Sequence, residues 1–437
     1  MRLTPAKMRP MNLELSPRQR RNAALAALLG NALEWYDFAV YGYVASDLGK
    51  VFFPAEVPGL QTLAAFGVFA VGYLMRPVGS VVLGPLGDLL GRRLMLSLSI
   101  VIMGIASLLI GLLPTHSQIG ISAAIALVLL RMLQGFSVGA EFTGSITYAT
   151  EAASRGHAGL LSSLAVAGGL LGFSLGSLTA AVIAGVVGQA AMGVWGWRIP
   201  FLLGALVAVV GLWMRRGMPE TLPPEAEGPA IRHPRQLGRA VVWRLQQVLQ
   251  QWRLVLLVIA LVSFANVVFY LAFVYLVDFS GQHSNNPAAA NTIATVVQTV
   301  GLLLAIGGGH LADRFGMVPV NRWGNLLLIL LAPLGLLIGL QGQLGTLALA
   351  QVLLVAPVMV TMGAQGVLGV VLVPQRQRCA VFSIAYSLAM ALFAGTSPLV
   401  ATWLQAQQAG WLIPLYVLIF GAAALVAVDR TRHAGVR

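Results

Sequence analysis

Apolar stretches of about 18 residues or more, each long enough to cross roughly 30 Å of hydrocarbon, recur along the whole chain. Twelve are expected, at about 23–48, 59–83, 93–113, 120–149, 158–187, 198–214, 253–278, 289–309, 323–341, 345–373, 380–404 and 411–428. Divisions are hardest to draw around Pro333, Pro357 and Pro398, where a kink and a helix end read alike. One long polar segment, from about Gly217 to Trp252, contains PETLPPEAEGPAIRHPRQ and reads as a linker. The pattern predicts an all-α integral membrane protein of 12 transmembrane helices. It divides into an arm (1–22), an N-terminal six-helix bundle (23–216), a linker (217–252), a C-terminal six-helix bundle (253–428) and a tail (429–437). Within the linker, Leu237 to Gln251 suits a basic amphipathic helix on the membrane surface, with Val241, Val242, Leu245 and Val248 toward lipid.

Composition agrees: of 437 residues, 58% are hydrophobic and 9% charged, against about a quarter charged in ordinary soluble domains. A net charge of +13 would suggest nucleic acid in a soluble protein, but the cations fall on alternate loops. One side takes the arm, Arg92 and Arg93, Arg155, the stretch from Arg215 to Arg253, Arg314 and Arg322, Arg376 and Arg378, and the tail. The other side has little more than Lys50 and Arg198. This positive-inside asymmetry puts both termini and the linker in the cytoplasm and makes nucleic acid an unexpected partner. The first apolar run is too long for a cleavable signal peptide, so the chain is expected to stay in the plasma (inner) membrane. Cys379 is the only cysteine, which excludes an intrachain disulfide. The histidines, His116, His157, His233, His283, His310 and His433, fall in loops, tails or span ends, so no metal, cofactor or enzymatic centre is expected.

Charged residues inside spans are costly and read as functional by default. Glu34 and Asp37 stand in the middle of GNALEWYDFAVYG, three apart on one helical face, with Tyr41 four residues further on that stripe. In the fourth span Arg131, Gln134, Val138, Glu141 and Ser145 share one face. Arg131 and Glu141 are ten residues apart, about 15 Å along a helix, so each needs a partner elsewhere. We expect Arg131 to be neutralised by Asp37 or Glu34 in one state and by a substrate carboxylate in another, coupling proton movement to binding with Glu34, Asp37 and Glu141 as proton carriers. Arg76 reads as a side chain that snorkels to the nearer membrane surface, and Asp278 as a solvated cap or gate residue at the outer end of the seventh span.

An internal repeat separates the halves. Gly84 to Arg93 reads GPLGDLLGRR and Gly309 to Gly316 reads GHLADRFG, each Gly, three residues, Asp, two residues, Gly, after the second span of its half. Gly84, Asp88 and Gly91, and Gly309, Asp313 and Gly316, suit a close helix approach with an acid that accepts from a helix amino terminus or an arginine. Arg92, Arg93, Arg155 and Arg314 supply cations on the same side, and Glu151 is a candidate partner. Such a cluster would hold one conformation closed and break in the other.

The repeated loop resembles the signature of the major facilitator superfamily. Glu34-Trp35-Tyr36-Asp37-Phe38 with Tyr41-Gly42, Phe52-Phe53-Pro54, Arg76-Pro77, Gln134 to Gly139 with Glu141, and Trp195 to Phe201 resemble its metabolite:proton symporter family, and within it the proline/glycine betaine transporters. Asn266, Tyr270, Asp313 to Gly316, Pro374 with Arg378, and Pro398 keep the pattern in the second half. Leu89 and Met317-Val318 depart from it, standing where basic or polar residues are usual. Nine residues follow Val428, whereas osmosensing members carry a long tail that can form a coiled coil, so that form of regulation is not expected. The resemblance implies the major facilitator fold, two pseudo-symmetric bundles working as a monomer among membrane lipid, and proton symport of a small solute by alternating access.

Aromatic residues Trp35, Tyr36, Tyr41, Phe264, Tyr270, Tyr275, Phe382 and Tyr386 fall in spans expected to line the cavity. With Asn266, Gln134 and Arg131 they suit a zwitterion, aromatic faces taking the ammonium and the arginine the carboxylate. Mono-, di- or tricarboxylates such as citrate-, ketoglutarate- or shikimate-like acids are the alternative. A transporter-like sensor, a membrane-embedded enzyme and a channel are the readings outside this class.

Overall fold

The computed structural model describes residues 16–53, 60–216, 218–221 and 234–433. Pro54, most of the arm, the linker segment 222–233 and the last four residues of the tail lie outside these. Helices account for nearly all the rest, as the apolar runs dictate: in hydrocarbon only a helix satisfies every backbone group within one segment. Eleven helices among the described residues are long and apolar enough to cross a membrane.

The first helix, α1 (Pro17–Tyr43), is the twelfth, less apolar because Asn31, Glu34 and Asp37 occupy its middle. It starts at a capping box in which Ser16 and Gln19 bond each other's backbone, with Pro17 opening the first turn. A short helix, Ala45–Phe52, follows it. The N-terminal bundle continues with α2 (Leu60–Leu89), α3 (Arg92–Leu112), α4 (Ile121–Ala152), α5 (Ala158–Val187) and α6 (Arg198–Arg215). The other bundle comprises α7 (Trp252–His283), α8 (Pro287–Phe315), α9 (Met317–Gly339), α10 (Leu344–Leu372), α11 (Gln375–Ala406) and α12 (Ile413–His433). Because successive helices alternate in direction, Ser16, the linker and His433 fall at one end, the linker face. Pro333 and Pro357 are inside α9 and α10, whereas Pro398 opens a new helical segment after a π-turn, Met390–Ala394, in α11. A second π-turn, Leu271–Tyr275, interrupts α7.

Small residues set how closely these helices approach. Gly168, Gly172 and Gly176 form a stripe on α5, where an added Cβ would strike the backbone of α1 at Leu28 and Ala32 and the side chain of Ala39. Backbone therefore lies against backbone along α1 and α5.

Four expectations are corrected here. The repeated motif is not a loop: Gly84 to Leu89 is the last part of α2 and Gly309 to Phe315 the last part of α8, and only Leu90, Gly91 and Gly316 lie outside the helices, the two glycines at φ 111° and 95°. Arg76 does not snorkel, since α2 runs 13 residues beyond it, about 20 Å at 1.5 Å per residue; it is buried. Arg215 is not a loop cation but is buried at the end of α6. Finally, the linker helix Pro234–Gln250 turns Ala240, Arg244 and Val248 into the protein, Val248 joining the core of the C-terminal bundle with Leu245 against it, while Val242 and Leu249 are exposed.

Candidate transport site and gate

The polar faces of α1 and α4 meet, but through intermediaries. Ser107 of α3 donates to Asp37 Oδ2 at 2.6 Å, Gln134 Nε2 donates to Ser107 Oγ at 2.8 Å, and Arg131 Nη1 donates to Gln134 Oε1 at 2.7 Å. The expected direct pairing of Arg131 with Asp37 or Glu34 is therefore absent, and two hydrogen-bonding side chains stand between arginine and acid. The guanidinium lies 4.1 Å from the ring centre of Tyr41 and 4.8 Å from that of Phe38, so aromatic faces replace the carboxylate against it. Tyr36 is turned to α6, donating to the Pro200 carbonyl at 3.0 Å.

Glu34 is buried, and neither carboxylate oxygen has a hydrogen-bond partner among the described residues. Glu141 differs: Arg215 holds it in a buried ion pair and also donates to the Leu96 carbonyl. Through this pair Glu141 ties α4 to α6. Nearby, Asn31 Nδ2 donates to Ser145 Oγ at 2.6 Å, which uses the fourth-span stripe to fix α1. Arg76 is held by rings, its guanidinium carbon 4.3 Å from Tyr73, 4.5 Å from Phe38 and 4.9 Å from Trp35.

Beside Trp35 the two bundles enclose a small cavity of about 40 Å³, lined by Trp35, Asn266, Tyr270 and Tyr386 among the expected residues, and by Phe142, Phe173 and Phe269. Trp35 lies 5.1 Å from Phe173 and 6.2 Å from Phe142, which in turn lies 5.1 Å from Tyr386, ring centre to ring centre. Tyr386 donates to Asn266 Oδ1 at 3.4 Å within the C-terminal bundle, and Tyr270 donates to the Tyr73 hydroxyl at 3.4 Å, so one hydroxyl pair as well as rings spans the halves. Arg131, Tyr36, Tyr41 and Gln134 are not on this cavity's wall; they belong to the interior of the N-terminal bundle. Phe264 lies in the C-terminal core, Tyr275 stacks on Phe279, and Phe382 backs Tyr386 at 6.1 Å. A second cavity, of about 300 Å³, shares Phe173, Phe269 and Tyr270 with the first and extends toward the face opposite the linker.

At the linker face the halves are locked together. Asp88 accepts from the backbone N–H of Cys379 (3.2 Å) and Ala380 (2.8 Å) at the start of α11, and from Arg92 Nη1 at 2.6 Å. Arg92 also reaches Glu151 Oε2 at 3.4 Å and the Gln375 carbonyl at 2.8 Å, while Arg378 reaches Glu151 Oε1 at 3.3 Å. Asp313 accepts from Gly159 (2.7 Å) and Leu160 (2.8 Å) at the start of α5. Gly84 lies against Cys379 and Ala380, and Gly309 against Gly159, where a side chain would hold the helices apart. Arg93 donates to the Arg216 carbonyl at 2.7 Å. Arg155 and Arg314 make no ion pair among the described residues, Arg314 lying 5.4 Å from the Phe315 ring.

Residues 23–395 match the model of the Major Facilitator Superfamily. The chain belongs to that superfamily. It is a multi-pass membrane transporter, not an enzyme. The chain is 33% identical over 435 residues to a glycine betaine/proline/ectoine/pipecolic acid transporter of Dickeya dadantii (strain 3937), covering 96% of this chain and 85% of that one. It is 32% identical over 422 residues to the proline/betaine transporter of Escherichia coli (strain K12), covering 94% and 84%. An ectoine/proline transporter of Corynebacterium glutamicum matches at 33% over 434 residues, covering 94% and 84%. Among solved structures, the proton:xylose symporter XylE superposes with a TM-score of 0.75 at 19% identity, 95% of each chain covered, which speaks for the fold.

Several participants in this major facilitator chain are not evident in the sequence. Ser107 looks like any hydroxyl in an apolar span, Phe142 and Phe269 like core, and Arg215 like a loop cation. Glu220, just before the segment 222–233, accepts from the backbone of Arg92 and Arg93 and so caps α3. Gln377 accepts from Gln251 and donates to Gln247, which fastens the linker helix beside the Asp88 cluster. Their only sequence signal is amide clustering on both sides of the linker face.

Proposed function

We propose that this transporter imports a small zwitterionic metabolite, a proline- or betaine-like osmolyte, by proton symport with alternating access. The linker face is then cytoplasmic, 23–216 and 253–428 are the two moving bundles, and the conformation described is closed to the cytoplasm. The observation that carries this reading is Glu34: a buried carboxyl without a hydrogen-bond partner, next in sequence to Trp35 on the wall of the aromatic cavity. A carboxyl so placed inside a span is costly and reads as functional by default, here as the place a coupled proton would occupy. Trp35, Tyr270, Tyr386 and Phe142 offer faces to an ammonium, and Asn266 offers a polar atom. The names of the relatives favour the same substrates.

In this scheme Glu34 and Asp37 are the coupling acids, Asp37 acting on Arg131 through Ser107 and Gln134. The Asp88 and Asp313 clusters are the gate. Carboxylate-only substrates are the competing reading, favoured by Arg76 and Arg131, each of which has guanidinium nitrogens without hydrogen-bond partners. Uptake of radiolabelled betaine, proline and citrate by purified protein in vesicles, with and without an inward proton gradient, decides between them. Gradient-driven accumulation of a zwitterion is expected; accumulation of citrate alone, or of nothing, would overturn the proposal.

A further inference from the structure

The central cavity, at about 40 Å³, has room for little more than a water molecule, so a solute cannot lodge there in this conformation. The cavity on the side opposite the linker, about 300 Å³, is at the lower bound of small-molecule sites. Asp278 supplies the single formal charge among its described lining residues. This acid is exposed, and Gln282 Nε2 donates to its Oδ2 at 2.7 Å; no other partner occupies it among the described residues. Phe269, Tyr270 and Phe273 face the same space, and Asn291 and Gln298 add amides. Asp278 lies eight residues beyond Tyr270 on α7, about 12 Å at helical rise. Tyr270 is shared with the central cavity, so the two spaces are successive stations on one path.

We propose that this outer cavity is a capture site for the ammonium end of an organic zwitterion or cation, with Asp278 and the ring faces of α7 holding the cation before it moves to the central aromatic cavity. The ligand class rests on the function proposed above, whereas the site stands on the cavity and its charge. An anion and an aromatic surface attract an ammonium together. The same walls offer a dicarboxylate no cation and one repelling charge, so selection against polyanions begins at the mouth.

The test separates capture from transport. Ser174 lines this cavity, and the native Cys379 is buried at the opposite face, so a Ser174→Cys chain can be labelled from outside with a membrane-impermeant maleimide. Tetramethylammonium, which has no carboxylate, is expected to slow that labelling at least threefold. Adding Asp278→Asn should abolish the protection, and Asp278→Glu should restore it. In vesicles Asp278→Asn should raise KM for betaine about 3- to 10-fold while kcat changes less than about twofold. Protection that is absent, or equal with and without Asp278→Asn, would overturn the capture site even if zwitterion uptake is robust. Protection that depends on Asp278 would support it even if no zwitterion accumulates, an outcome that removes the transport reading alone.

Discussion

Asp88 and Asp313 make the same bond in opposite directions: each closes α2 or α8 of its own half onto the first backbone N–H groups of a helix in the other half, α11 and α5 respectively. A carboxylate at a helix amino terminus combines charge-assisted hydrogen bonds with the helix dipole. Asp88 also holds Arg92, whereas Asp313 has no arginine within ion-pair distance among the described residues, consistent with Met317 and Val318 replacing the usual cations. The two locks are symmetric in geometry and unequal in strength.

That inequality sets the first expectation. Cys379 donates its backbone N–H to Asp88, and its thiol is buried behind the closed gate. Asp88→Asn should speed alkylation of Cys379 by a membrane-permeant maleimide roughly tenfold, given about 1.5–3 kcal/mol for a hydrogen bond to a charged group. Asp313→Asn should speed it less. Equal rates in both variants and the parent would show that these bonds do not hold the gate.

Glu141 and Arg215 should behave as structure. Removing one partner of a buried pair costs about 3–5 kcal/mol, while replacing both with apolar side chains is often close to neutral. Glu141→Ala should therefore lower the thermal midpoint of the purified protein sharply, and Glu141→Leu with Arg215→Met should recover most of it. Gradient-driven uptake should survive in the double variant. Its loss with a normal thermal midpoint would return Glu141 to the coupling acids.

For the acids of α1 the readout is coupling. Glu34→Gln should abolish accumulation against a gradient while leaving exchange of solute across the membrane. Asp37→Asn should do so too and should also raise KM, because the chain to Arg131 runs through Asp37. Unchanged accumulation in Glu34→Gln would contradict its assigned part.

The linker helix offers a fourth case. Val248 is buried against the C-terminal bundle and Gln247 and Gln251 bond Gln377. Val248→Asp places a charge in that contact and should release the helix, seen as faster proteolysis of the linker and faster Cys379 alkylation. A surface-lying helix would show neither.

The twelve spans and the pairing of Gly84-Asp88-Gly91 with Gly309-Asp313-Gly316 were legible because hydrophobic length and a repeated spacing are properties of sequence itself. The extent of α2 was not: glycines and Pro85 in its last turns look like a turn, yet the helix continues to Leu89. Side-chain partners were the least legible. Arg131 and Asp37 share a network, but Ser107 on a third helix sets its form. Arg215 reads as a loop charge until the depth of α6 is known, and an amphipathic helix such as the linker shows an apolar stripe without saying whether lipid or protein covers it.

The glycine stripe of α5 has a consequence for how energy moves. With Gly168, Gly172 and Gly176 pressed to its backbone, α1 has little room to turn about its own axis. In the proton-coupling scheme proposed above, a change of charge on α1 is then passed sideways rather than answered by rotation of that helix, along the ring contacts from Trp35 and Phe142 to Tyr386 of the opposite bundle. In that scheme α1 is held against α5, and those rings are its route to the other half.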